Sequence, residues 1–136
     1  MRGGLKIDFS FALKKLILKF AIVASILMIA GSLHADWQVI PSETDHKHFF
    51  RSKYIKKYGS FIEIWERIIF TTRTRYGDGS SEQLLKIDCE NGTVQTLVSR
   101  FYKDQQWSEF SWSGKRGQIV DIKSGSVASF LKKTHC

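Results

Sequence analysis

The sequence predicts an α+β fold: an antiparallel β-sheet of about six strands, with a C-terminal α-helix packed on one face and tethered by a disulfide. Three observations predict it. β-Branched and aromatic residues come in short runs separated by Gly, Asn, Asp and Ser, as strands separated by turns do. Near the end, Val127, Phe130, Leu131 and Thr134 recur at spacings of three and four, the period of one helix face. Two cysteines, Cys89 in a strand run and Cys136 at the last position, are placed to join the two.

Before the first strand stands a segment of different character. Arg2, Lys6, Lys14, Lys15 and Lys19 face a single acid, Asp8, and Phe20–Gly31 is then apolar or small throughout. Ser32-Leu33-His34-Ala35 follows, with a small residue suited to a cleaved bond. This three-part layout is that of a secretory signal, so residues 1–35 are expected to be a signal peptide and 36–136 the mature domain. An uncleaved anchor is the alternative, but the apolar run falls short of the about 20 residues a membrane-spanning helix needs, and Lys19 interrupts its extension. No stable span is expected after cleavage. Residues 36–136 carry 16 basic and 12 acidic side chains, a net charge of +4 against +8 for the whole chain. That surplus suits anionic partners at an exported surface and does not call for nucleic acid.

Strands are expected near Trp37–Ile40, Lys47–Arg51, Ser60–Thr74, Glu82–Cys89, Thr93–Tyr102 and Trp107–Trp112, with Gly77–Ser81 a turn. Asn91-Gly92 favours a two-residue type I′ turn. Glu90 would then pair with Thr93, Cys89 with Val94, Ile87 with Thr96 and Leu85 with Val98. The six from Cys89 to Val98 in these last three pairs share an apolar face opposite Lys86, Asp88, Gln95 and Ser99. Ser124-Gly125-Ser126 offers hydroxyls to cap the helix, and Lys132 and Lys133 suit its negative end. With Cys89 on the apolar side, a bond to Cys136 would hold the helix there; free thiols or an intermolecular bridge are the alternatives.

Catalytic and metal patterns are thin. His46 and His48, two apart, would share one side of a strand, but spacing fixes no third ligand with His135, and no metal or cofactor is expected. Glu63 and Glu66, three apart, would face opposite ways among Arg67 and Arg73, as solvated charges on an outer face. Trp107 and Trp112 are expected to be packing residues. The most plausible contact surface is His46–Tyr58, where Lys47, Arg51, Lys53, Lys56 and Lys57 stand among Phe49, Phe50, Tyr54 and Tyr58. The bland reading of this stretch is core aromatics with a rim of solvated lysines. Arg73 and Arg75 form a second, smaller basic feature.

Several stretches together resemble the surface-adhesin protein E family of Gram-negative bacteria: Ile64-Trp65 in a long strand, Lys86-Ile87-Asp88-Cys89 before a hairpin, Phe101-Tyr102-Lys103-Asp104, Ser124-Gly125-Ser126-Val127, and the closing cysteine. The resemblance runs from Trp37 to Cys136. It implies a sheet of about six strands, a C-terminal helix tethered by Cys89–Cys136, binding of host matrix proteins, and an ability to form homodimers. Lipid-anchored members carry a cysteine at the cleavage point, where this chain has Leu33-His34-Ala35-Asp36. A periplasmic, released or cell-surface protein without a lipid anchor is therefore expected. The short Gly77–Ser81 turn leaves little room for an extended binding loop.

The function expected is a non-enzymatic, exported binding domain for a protein or polyanionic surface, whether host matrix protein or envelope component. A periplasmic interaction module without a host ligand is the alternative. A small secreted hydrolase depending on His46 or Glu66 is the least favoured reading.

Overall fold

A computed structural model describes residues 36–42 and 44–136; the expected signal segment 1–35 lies outside the described residues. The strands are β1 (Trp37–Ile40), β2 (Lys47–Arg51), β3 (Lys56–Tyr58), β4 (Phe61–Ile69), β5 (Ser80–Asp88), β6 (Thr93–Tyr102), β7 (Phe110–Gly114) and β8 (Val120–Asp121). A 3-10 turn, Ser52–Tyr54, separates β2 from β3, and the helix α1 is Val127–His135. The main path runs β1-β2-β4-β5-β6-β7, antiparallel throughout, with β3 beside β4 and β8 beside β6. The six expected strands are this main path; β3 and β8 are short additions. Three and two residues respectively are too few for a period to show.

β4 sets the two faces. Its residues alternate strictly, with Ile62, Ile64, Glu66 and Ile68 buried and the residues between them half-buried. Register carries the buried side to Ile87 and Leu85 on β5 and to Phe50 on β2. Ile40, Phe50, Ile62, Ile64, Leu85 and Ile87 form the core, closed by Leu131 of α1. Val127 and Phe130 pack beside Leu131. Thr134, expected on the same stripe, is exposed and returns its hydroxyl to the Phe130 carbonyl at 2.8 Å. His135 takes the inward place, its ring 5.1 Å from that of Phe50. Ser126 caps the helix by accepting from the Ser129 amide, as the sequence suggests. The Cys89–Cys136 disulfide then ties the helix end to the sheet, with Cα atoms 5.7 Å apart.

The hairpin differs from its expected register. Asp88 pairs with Thr93 and Ile87 with Val94, leaving a four-residue loop, Cys89–Gly92. The Asp88 carboxylate accepts from the Glu90 and Asn91 amides and from the Asn91 side chain, and the Gly92 amide returns to the Asp88 carbonyl. These local bonds outcompete the tighter turn. Gly92 supplies the left-handed residue, at φ +65°. The slip is two residues, so faces are preserved near the tip. A bulge between Leu84 and Leu85 then moves Val98 onto the other face, opposite Leu84.

Two strands are shorter than expected. β4 stops at Ile69 because Thr74 and Asp78 close a loop there: the Thr74 hydroxyl bonds the Asp78 carboxylate and accepts the Asp78 amide. β7 begins at Phe110 rather than Trp107, because Trp107 lies at φ +55° and cannot continue a strand.

Candidate functional site

One face of the sheet is occupied by α1. On the other, the residues of β4 between its buried isoleucines point away from the helix, and antiparallel register aligns them into rows across the strands. One row is Val39, Phe49, Arg67, Glu82, Arg100 and Ser113, from β1 through β7. A parallel row is Lys56, Glu63, Lys86 and Gln95, and between them lies Trp65, Leu84 and Val98. In both charged rows a carboxylate stands between two cations.

Arg67 is the most constrained of these cations. Its Nε donates to Glu82 Oε2 at 2.8 Å, and its guanidinium carbon lies 4.3 Å from the Trp37 ring centre and 4.6 Å from that of Trp107. Each such cation–ring contact contributes about 0.5–1 kcal/mol at a partly exposed site. The same pattern spreads outward. Arg100 reaches Glu82 at 3.7 Å and lies over Trp65. Arg51 lies 4.0 Å over Tyr54, and Lys86 4.0 Å over Phe61. Lys56 stands 5.3 Å from Tyr58. The Tyr58 hydroxyl donates to Glu63 at 2.6 Å, and this bond, with some desolvation, raises the Tyr58 pKa.

Trp107 reaches this face from the loop between β6 and β7. Asp104 organises the loop, its carboxylate accepting from the Ser108 hydroxyl and from the Ser108 and Glu109 amides. The Ser108 hydroxyl, ahead of those amides, holds the Asp104 carboxyl below its ordinary pKa, outweighing desolvation. The indole N–H of Trp107 donates to the Ser81 carbonyl at 2.9 Å, and its ring meets Phe49 edge-on. A bulky residue at φ +55° costs about 1–3 kcal/mol, and such strain gathers at functional sites.

The basic residues singled out in the sequence divide. Arg51 and Lys56 belong to the outer face, and Lys47 is exposed at its end opposite Ile69. Lys53 lies at its rim, 3.1 Å from Asp36. Lys57 instead points to the helix side, donating to the His135 carbonyl at 2.7 Å. Arg73 braces a loop through the Gly77 and Lys103 carbonyls, and Arg75 lies against Tyr76. The sequence does not mark Arg67, Glu82, Trp37 and Trp107 as one site. Alternation with the isoleucines of β4 was a signal that could have turned Arg67 outward; nothing local announced that Trp107 would fold over it.

The histidines do not converge. His46 lies edge-on to Phe70 and accepts from the Thr71 amide at 3.4 Å. His48 is buried, with Nδ1 2.7 Å from Glu66 Oε1 and Nε2 3.0 Å from the Thr44 hydroxyl. A carboxylate can only accept, so Nδ1 donates to Glu66. Glu66 is thus a buried partner that joins β2 to β4, and not the solvated outer-face charge expected. Among the described residues no group of three or more His, Cys, Asp or Glu side chains is placed to hold a metal ion.

A family model described as surface-adhesin protein E matches residues 37–136. The chain belongs to the surface-adhesin protein E family. No curated protein and no solved structure gives a significant match. Membership of the surface-adhesin protein E family makes the chain an adhesion-type surface protein. No helix among the described residues is long and apolar enough to cross a membrane.

Proposed function

We propose that this surface-adhesin E protein is exported by cleavage of residues 1–35 and that its domain, 36–136, binds a protein or polyanionic surface through the outer face of the sheet. The observation that carries this reading is the Trp37–Arg67–Trp107 clamp, set among further cation–ring pairs on the face that α1 leaves open. Family membership supports adhesion, and the positive surplus supports an acidic partner. Of the basic residues read from the sequence, Lys47, Arg51, Lys53 and Lys56 join this surface as its flank.

The test is binding of the exported protein to immobilised matrix proteins and to envelope fractions. Replacing Arg51, Arg67 and Arg100 together by Ser should weaken binding at least tenfold, whereas Lys132→Ser with Lys133→Ser, on the helix, should not. Added salt should weaken the contact. Absence of binding to either class at micromolar concentrations, or equal losses from both variants, would contradict the reading. Sensitivity to external protease locates the partner: digestion in intact cells places it outside, and protection places it in the periplasm.

A further inference from the structure

We infer that the Arg67 clamp recognises the oxyanion of an acidic glycan, a saccharide chain bearing carboxylate or sulfate groups; this rests on the outer face being the binding surface. The argument begins with what the face can offer. β4 and β5 are hydrogen-bonded to neighbours on both sides, so a ligand laid across them meets side chains rather than free backbone groups. An extended peptide adding to a sheet needs an open edge, which this centre lacks.

What remains is a set of flat rings and guanidinium forks. Arg67 is held at Nε by Glu82 and lies within 4.3 and 4.6 Å of two indole ring centres, yet neither terminal nitrogen has a hydrogen-bond partner among the described residues. The side chain is 28% exposed. A guanidinium immobilised with its two-nitrogen end unused is preorganised for a bidentate carboxylate or sulfate, because little rotamer freedom is left to lose. Trp37 and Trp107, both half-buried beside it, add flat apolar area next to the fork.

The wider face extends the match. Centre and flank together carry five cations, Arg51, Lys56, Arg67, Lys86 and Arg100, against three carboxylates, Glu63, Glu82 and, 4.0 Å from Arg51, Asp36. Arg67 and Arg100 stand two strands apart in one row, about 10 Å at the spacing of neighbouring strands. Two guanidinium groups in one row, both reaching the Glu82 carboxylate between them, suit a chain with repeated charges better than a lone phosphate, which would engage one cation. The strained backbone of Trp107 fits the same purpose: the fold holds a bulky residue in a costly conformation so that its ring closes the clamp.

The test is calorimetric titration of the exported protein with three size-matched oligosaccharides: hyaluronan (carboxylate only), heparin (sulfate and carboxylate) and neutral dextran. At least one acidic chain should bind ten times more tightly than dextran, and the comparison of the two identifies the oxyanion. Arg67→Lys keeps the charge but loses the fork and the flat stacking surface, and should weaken binding at least tenfold. Lys132→Ser with Lys133→Ser should leave it unchanged, with circular dichroism confirming that both variants fold. Equal binding of dextran, or wild-type affinity in Arg67→Lys, overturns the inference. A matrix protein bound equally well before and after removal of its acidic glycans, still through the outer face, overturns the glycan and leaves the face standing. Binding that ignores outer-face substitutions overturns both.

Discussion

Asp78 shows how one side chain settles a region that the sequence reads only as a turn. It is fully buried, and its Oδ2 accepts from the Trp112 indole and the Thr74 hydroxyl, each at 3.0 Å. Burial pushes the carboxyl pKa up, but the bonds from Trp112, Thr74 and Ser111 and the charge of Lys103 outweigh it, leaving the pKa lowered. A carboxyl whose folded pKa lies below its unfolded value contributes stability that is complete above the unfolded pKa and lost as pH falls through the folded one. Trp112→Phe removes one donor, and should therefore move the midpoint of acid unfolding to higher pH, followed by far-ultraviolet circular dichroism. An unmoved midpoint would mean that the bond contributes nothing. None of this was legible from spacing, since Asp78 and Trp112 meet only because β5, β6 and β7 align. Arg67 is the opposite case: its outward direction follows from period-two counting along β4, and only its Trp107 cover depends on a distant loop.

At the scale of elements, the helix depends most on tertiary support. Nine residues are too few to hold helical structure alone in water. Leu131 is fully buried and Ser126 caps the first turn. Leu131→Ala should cost about 2–5 kcal/mol by lost burial and cavity formation, and Ser126→Ala about 1 kcal/mol; urea denaturation measures both. His135, at the helix end, has its pKa lowered, first by burial and then by the Lys57 cation. Its protonation favours the unfolded chain, so stability should decline as pH falls from the ordinary value of 6.5 toward the lowered folded value. Helix face, cap and most strands were legible because each is a local pattern. The hairpin register was not, because Asp88 and Asn91 decide it through side-chain bonds that period and turn preference do not encode.

Across the domain, a helix covers one face of the sheet and cation–ring pairs line the other. The disulfide closes 47 residues of chain, and in the chain-entropy account this is worth about 4 kcal/mol. Replacing both cysteines by Ser should lower stability by up to that amount, and should weaken helix attachment before it disturbs the outer rows. The overall architecture and the pairing of Cys89 with Cys136 were readable from apolar pattern and family resemblance. The proposed binding face is legible in the sequence only at its edge, in Lys47–Lys56, because its centre is assembled from β1, β4 and the loop before β7. The four tryptophans offer a direct test of which face binds. Trp37, Trp65 and Trp107 belong to the outer face, while Trp112 bonds to Asp78. The indole N–H resonances of the folded protein, recorded while the matrix ligand is titrated in, should shift for Trp37 and Trp107 and stay fixed for Trp112. Movement of Trp112 with Trp37 and Trp107 unmoved would contradict the account.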